Sequence, residues 1–189
     1  FRRSVMAGGF KWVGSLVDDT KGKAKKFPVS ASHATRLSIG DVVAIQNTAD
    51  ANGVQLVDAA VAGSAVTGVI VGVVPNFATE SFTDTGLAAS TAGEVLVNCD
   101  PDALYEVEVS NGPLVIADVG LNLPLVATAA TVSGGLTISN MTVNKTGAAT
   151  TALTEFRLEK LLTGTDGVLG SKCVVKVNNS TYKAGTAGV

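Results

Sequence analysis

Short segments in which apolar and polar side chains alternate recur along the chain and are separated by residues typical of turns. In Leu104–Val109, the residues Tyr105, Val107 and Val109 share one face, while Leu104 and two acids share the other. A period of two is typical of a half-buried antiparallel strand. Segments of similar length and pattern, or with continuous β-branched runs, are Val42–Gln46, Val54–Val57, Val66–Val74, Glu94–Cys99, Ala129–Ser133, Leu136–Val143, Leu153–Leu162 and Cys173–Asn178. The pattern therefore predicts an all-β protein.

Two turns stand out between these segments. Asn52 and Gly53 precede Val54, and such a pair supplies the positive φ angles of a tight hairpin. Asp100, Pro101 and Asp102 separate two predicted strands. We interpret them as a structural turn rather than a calcium site, because calcium takes about six or more oxygen ligands and this stretch offers about two side chains.

Leu153–Leu162 is the one segment where a helix competes with a strand, because Leu, Glu and Lys are good helix formers. Phe156, Leu158, Lys160 and Leu162 alternate with charged residues, which favours a strand. No Pro-rich or Gly-rich linker separates two cores. We expect a single antiparallel β-barrel or β-sandwich domain over residues 37–189, with an extended N-terminal arm over residues 1–36.

Composition supports this fold and limits the chemistry. The 189 residues are 46% hydrophobic and only 16% charged, which suits one domain with a packed core. No uninterrupted apolar run approaches the roughly 18 to 20 residues that span a bilayer, so the sequence predicts a soluble protein without a membrane partner.

The inventory of catalytic residues is small. The single histidine, His33, lies in a polar stretch and is expected to be solvated or to act as a cap. Cys99 and Cys173 are 74 residues apart, without the close spacing of a zinc or redox pair, and are expected to be buried thiols rather than a disulfide. We expect no enzymatic activity, no cofactor and no metal.

Charge is distributed unevenly along the chain. Residues 1–36 carry a balance of +6, residues 37–144 carry eleven acids and no Lys or Arg, and the remainder carries +3. The basic residues of the arm are Arg2, Arg3, Lys11, Lys21, Lys23, Lys25, Lys26 and Arg36. A basic arm on an acidic body can bind nucleic acid, a second copy or another acidic protein, whereas a solvated Lys-rich turn is an equal alternative for Lys21–Lys26 alone.

A protein partner is favoured over nucleic acid, because the acidic body opposes phosphate binding. Phe10 and Trp12 lie among the cations of the arm, and aromatic anchors beside cations are common at protein interfaces. As a free segment the arm is expected to be partly disordered and to gain structure on an acidic partner. Deletion of residues 1–26 should then weaken attachment while the domain still folds.

Several ordered segments resemble one family of proteins. They are Val66–Pro75, Ala88–Gly93 and Val95–Val107, with Ile39–Val43 and Asp50–Val54 before them and Lys172–Val189 after them. Together they resemble the head proteins of tailed bacteriophages that are described as capsid decoration or cement proteins, over roughly residues 36–189.

The resemblance implies a virion structural protein on the outer surface of an icosahedral capsid, assembled in the bacterial cytoplasm. Its partners would be the major capsid protein, whose neighbouring subunits it would bridge, and other copies of itself in a dimer or trimer. The alternative is a tail or fibre component or a surface adhesin that binds a receptor or glycan through the β domain. Exposed aromatic side chains would be expected for that alternative.

Overall fold

Fourteen β-strands and one short 3-10 turn form the regular structure of the described residues. A computed structural model describes residues 8–16, 24–74, 85–183, 185 and 188. In chain order the elements are β1 (Lys11–Ser15), β2 (Ala24–Val29), β3 (Val42–Ala49), β4 (Gln55–Ala59), β5 (Gly68–Val74), β6 (Gly93–Asn98), β7 (Ala103–Ser110), a 3-10 turn (Ile116–Asp118), β8 (Asn122–Leu123), β9 (Leu125–Val126), β10 (Thr131–Ser133), β11 (Leu136–Ile138), β12 (Thr142–Asn144), β13 (Phe156–Thr163) and β14 (Leu169–Val177). The all-β expectation is confirmed.

The larger sheet is a nearly closed barrel. Its strand order is β8-β13-β14-β7-β12-β9, and β1 adds to the β7 edge that β12 also uses. The end strands β8 and β9 are consecutive pieces of one segment, interrupted at Pro124. Proline has no N–H for a ladder, but its carbonyl accepts a hydrogen bond from the Asn144 N–H at 3.0 Å. This segment therefore connects the two ends of the sheet.

The smaller sheet is antiparallel, with the order β2-β6-β5-β3-β4. Successive residues of β3 face different cores: Val42 packs with the barrel residues, whereas Val43 packs with Ile70 and Val97 of the smaller sheet. Two apolar cores thus lie on the two faces of the smaller sheet. Among the described residues there is no helix of the length and apolar character needed to cross a bilayer.

Leu153–Leu162 was the ambiguous segment, and the structure confirms a strand there, since β13 covers Phe156–Thr163. Leu136–Val143 is not one strand, because β11 pairs with β10 in a separate hairpin while β12 joins the barrel. The Asn52–Gly53 hairpin is confirmed, but only Gly53 has a positive φ, of 78°. Asp50 completes the turn by accepting hydrogen bonds from the Asn52 and Val54 N–H groups.

The described parts of the predicted arm contain two strands that pair with strands of the predicted domain. β1 pairs with β7 and β2 pairs with β6. Phe10 is 2% exposed and Phe27 is 1% exposed, each in one of the two cores. Burial in the core outweighs exposure at an interface because fully burying such a ring contributes about 1.5–3 kcal/mol. Phe10 is therefore not an exposed anchor.

Candidate interaction surface

The turn Asp100–Asp102 carries the chain from the smaller sheet to the barrel. The Asp100 side chain accepts a hydrogen bond from the Asp102 N–H at 2.9 Å, and its carbonyl accepts one from the Ala103 N–H at 3.2 Å. The Asn98 side chain in turn accepts a hydrogen bond from the Asp100 N–H at 3.1 Å. The predicted structural turn is confirmed, and Pro101 lies at its tip with a fixed φ.

Two strands from the predicted arm end or begin beside this turn. Leu16, just after β1, donates its N–H to the Asp102 carbonyl at 3.0 Å. Ala24, the first residue of β2, is the register partner of Asn98. The stretch 17–23, which contains Lys21 and Lys23, is outside the described residues, as are Arg2 and Arg3. The described residues on either side of it, Leu16 and Ala24, both lie beside the Asp100–Asp102 turn.

A second turn, at residues 180–183, is attached to the same place. Ser180 and Lys183 exchange backbone hydrogen bonds of 3.3 Å, and the Thr181 N–H donates to the Val66 carbonyl at 2.9 Å. The Lys183 Nζ lies 3.2 Å from Asp102 Oδ1. Tyr182 is at the tip of this turn and is 51% exposed. The hydrogen bonds therefore hold an aromatic side chain outward.

The two lysines of β2 differ in their partners. The Lys26 Nζ lies 2.9 Å from Glu94 Oε1, in an exposed ion pair. Lys25 has no carboxylate within ion-pair distance among the described residues, and its Nζ lies 4.9 Å from the centroid of the Phe27 ring. Lys25 thus contacts an aromatic ring, whereas Lys26 is paired with a carboxylate.

The Cys99 thiol interacts electrostatically with both Lys25 and Tyr182. Burial raises the pKa of the Cys99 thiol to about 11, and the positive charge of Lys25 opposes that shift. Burial also raises the pKa of Tyr182, with a smaller contribution from Cys99. We name the surface formed by Leu16, Lys25, Pro101, Tyr182 and Lys183 the crossover face. It combines an exposed apolar and an exposed aromatic side chain with Lys25 and with Lys183, whose ammonium group is paired with Asp102.

The crossover face contains only part of the predicted interface. Lys25 belongs to it, as does Pro101 from the Asp100–Asp102 turn. Three predicted residues lie outside it: Lys11 is exposed on β1, Trp12 is half-buried, and Arg36 is half-buried in the β2–β3 connection. Leu16, Tyr182 and Lys183 were not predicted. The adjacent Tyr182 and Lys183 in a polar tail repeat the aromatic-beside-cation pattern, and this signal could have identified them.

His33 is not solvated, so the first of the two alternatives expected from the sequence, a solvated or a capping histidine, is wrong. It is 2% exposed, and its Nδ1 lies 2.7 Å from the Ser30 carbonyl. The His33 carbonyl also accepts a hydrogen bond from the Ser90 N–H at 3.0 Å. From its buried position, His33 thus links the loop that contains Ser30 to the loop that contains Ser90.

The two cysteines are free thiols, as expected. Cys173 is fully buried and Cys99 is half-buried. Burial raises the pKa of Cys173 to about 12, so both thiols are protonated at neutral pH. In the part of the chain that the structure describes, no group of three His, Cys, Asp or Glu residues is placed to hold a metal ion.

Comparison of the chain with models of protein families, with curated protein sequences and with solved structures finds no match. The crossover face itself therefore carries the functional argument, together with the sequence resemblance described above.

Proposed function

We propose that this chain is a virion structural protein that binds the outer surface of an icosahedral phage capsid through the crossover face and bridges neighbouring major capsid subunits. The resemblance to capsid decoration proteins supports the proposal. Two of its segments, Val66–Pro75 and Val95–Val107, include β5, most of β6, the first part of β7 and the turn between β6 and β7. The crossover face is built on that turn.

The composition of the crossover face suits a protein partner. Tyr182 and Leu16, which are 51% and 53% exposed, offer aromatic and apolar surface next to Lys25 and Lys183. Interfaces commonly gain most of their affinity from a few such side chains surrounded by polar groups. Because hydrogen bonds already hold both turns, little conformational entropy is lost on binding.

The charge distribution would orient the protein on its partner. Residues 37–144 hold eleven acids and no Lys or Arg, while the crossover face includes Lys25 and also Lys183, which is paired with Asp102, and Lys21 and Lys23 precede Lys25 in the sequence. An acidic capsid surface would repel the body and attract this face. Such steering raises the association rate and makes attachment sensitive to salt.

The test is cosedimentation with purified capsids that lack the protein, at NaCl concentrations from about 50 to 500 mM, which shorten the screening length severalfold. Tyr182→Ala should weaken binding by about 30-fold, the effect of losing roughly 2 kcal/mol at a central contact. Lys25→Ala should weaken binding and reduce its salt dependence. Lys160→Ala, at an exposed position on β13, is the matched control.

Failure of the wild-type protein to sediment with capsids would refute the proposal. Equal binding by Tyr182→Ala, Lys25→Ala and Lys160→Ala would show that the crossover face is not the surface that binds the capsid. The adhesin alternative predicts exposed aromatic surface, and among the described residues Tyr182 is the only aromatic side chain of that kind. No second function is proposed.

A further inference from the structure

The chain contains two Asn-Gly pairs, Asn52–Gly53 and Asn111–Gly112, and all four residues are exposed. Asparagine is a chemically labile residue, and a following glycine favours its conversion because no side chain shields the backbone nitrogen that attacks the amide. The first pair belongs to the β3–β4 turn, and the second follows the end of β7. The same chemistry is therefore offered in two structural settings.

The reaction needs only water and a base from solution. The Gly112 backbone nitrogen, once it has lost its proton to the base, attacks the side-chain carbon Cγ of Asn111. The new bond from nitrogen to Cγ replaces the bond from Cγ to Nδ2, which takes up a proton and leaves as ammonia, so that a five-membered succinimide ring remains. Water then opens the ring at either carbonyl. The product is aspartate or its isomer isoaspartate, and either one adds a negative charge at neutral pH.

In the first pair the attacking nitrogen is engaged. The Gly53 N–H donates to the Asp50 carbonyl at 3.0 Å, and the turn that contains it joins two paired strands. The Asp50 carboxylate also holds this turn by accepting hydrogen bonds from the Asn52 and Val54 N–H groups. Removal of the Gly53 proton therefore breaks a hydrogen bond, and ring closure distorts a hairpin that is held on both sides.

In the second pair the attacking nitrogen is open. The Gly112 N–H donates no hydrogen bond to any described residue. The space around Gly112 is also free, since a Cβ added there would have no neighbouring atom within 4 Å. Residues 111–115 continue from β7 without regular secondary structure, so ring closure distorts no hairpin.

The side-chain amides do not distinguish the two pairs. The Asn52 Nδ2 donates to Asp50 Oδ2 at 3.4 Å, and the Asn111 Nδ2 donates to Asn144 Oδ1 at 2.9 Å. Each amide gives up one exposed hydrogen bond when it reacts. The difference between the pairs therefore lies in the attacking nitrogen and in the backbone around it.

Conversion of Asn111 would weaken the contact between β7 and β12. These parallel strands share two register pairs, and the hydrogen bond from Asn111 to Asn144 extends this short pairing. Asn144 Oδ1 also accepts the Thr146 N–H at 2.9 Å, so Asn144 cannot turn its NH₂ group towards residue 111 without losing that bond. A carboxylate at position 111 has no hydrogen to donate and would face this oxygen.

We propose that Asn111–Gly112 is a site of spontaneous deamidation and that the reaction loosens β7 from β12. Folding should raise the ratio of the Asn111 rate to the Asn52 rate about fivefold above its value in the unfolded chain. This factor corresponds to the net free energy of one hydrogen bond, the one that the Gly53 N–H makes. The modification does not depend on capsid binding.

The test is incubation of the full chain in warm, mildly alkaline buffer, with samples taken over several days. Residues 37–144 contain no Lys or Arg, so trypsin would leave both pairs on one peptide, whereas cleavage after glutamate places them on residues 1–80 and 109–155. Mass spectrometry with fragmentation should show the gain of about one dalton first at Asn111. The same incubation in guanidinium chloride gives the two rates for the unfolded chain. A ratio of rates that is equal in the folded and unfolded chains would overturn the assignment of the site.

Asn111→Gly is the matched control for the effect on stability. Glycine suits the left-handed φ of 64° at this position and has no amide to react. Incubation should lower the urea midpoint of the wild type and leave that of Asn111→Gly unchanged. A wild-type midpoint that stays constant after Asn111 has converted would overturn the loosening of β7 from β12. The comparison of the two rates uses the wild type alone and does not require this variant to fold.

Discussion

The Phe10 ring stacks on the Phe156 ring, with their centroids 4.5 Å apart and their planes inclined by 27°. Phe10 also meets the Tyr105 ring edge-on at 6.4 Å. Phe10 thus belongs to the core of the barrel, where it packs against residues that follow it by 95 and 146 positions. The first strand is an essential part of the core, and its loss should affect folding before it affects binding.

Replacement of Phe10 by Ala should lower the free energy of unfolding by about 3–5 kcal/mol, the usual cost of removing a buried ring and leaving a cavity. Urea unfolding followed by circular dichroism measures it. Leu16→Ala, at a position 53% exposed, is the control and should change the value by less than about 0.5 kcal/mol. A loss below about 1 kcal/mol for Phe10→Ala would show that the barrel closes without this ring.

Deletion of residues 1–26 should abolish cooperative unfolding. The deletion removes β1, the Phe10 ring and the first three residues of β2, so the β7 edge and the β6 edge both lose backbone partners. The appropriate measurement is the thermal melt of the truncated chain beside the full chain. A sharp transition near the full-length melting temperature would restore the earlier interpretation of a separable arm.

Gly170 should not tolerate a side chain. Its φ is 89°, and an added Cβ would lie 2.0 Å from the Leu114 carbonyl oxygen. Gly170→Ala should therefore lower the free energy of unfolding more than Gly167→Ala does. Gly167 lies in the same hairpin with a φ of 79°, but a Cβ added there would have no neighbouring atom within 4 Å. We expect about 1 kcal/mol for Gly167→Ala from backbone strain alone and at least about twice that for Gly170→Ala. Equal destabilisation of the two variants in urea would contradict the close approach of Leu114 to Gly170.

Asp41 should make stability depend on pH. Burial raises its pKa to about 6, although hydrogen bonds from Ser139 and the Ser38 N–H partly oppose the shift. The folded state therefore holds a proton that the unfolded chain releases near pH 4. The contribution of Asp41 to the free energy of unfolding is therefore fully present below pH 4, and it is lost as the pH rises towards 6.

In Asp41→Asn this loss should be absent. When the pH rises from 4 to 7, the free energy of unfolding of the variant should increase relative to that of the wild type by about 3 kcal/mol. Each unit of pKa shift corresponds to about 1.4 kcal/mol. Urea unfolding at several pH values provides the comparison, and the difference between the two proteins cancels the contribution of the other carboxylates. Parallel pH profiles would show that Asp41 is ionised in the fold with an ordinary pKa.

The fold class could be predicted from the sequence because most strands show a recognisable pattern of apolar and polar residues. β7 alternates clearly, and β13 does so strongly enough to outweigh its helix-forming residues. β8 and β9 have two residues each and exist because the barrel closes around Pro124, so no local pattern could identify them. β2 was missed because Lys25, Lys26 and Pro28 hide the alternation of Phe27 and Val29, although Lys and Pro are common on edge strands.

The candidate site was predicted less completely than the fold. The charge asymmetry and the Asp100–Asp102 turn are local features of the sequence, and both contribute to the crossover face. Tyr182 and Leu16 come from opposite ends of the chain, and only the β6–β7 connection brings them together. Phe10 was assigned to the interface because an aromatic beside cations has the same pattern whether it faces a partner or the core.

A low-resolution cryo-electron microscopy map of the phage particle tests the central claim most directly. The account predicts hundreds of copies on the outside of the head, seated between major capsid subunits with the crossover face towards them. Density for a dozen or fewer copies at the tail, or a head surface without density for this protein, would contradict it.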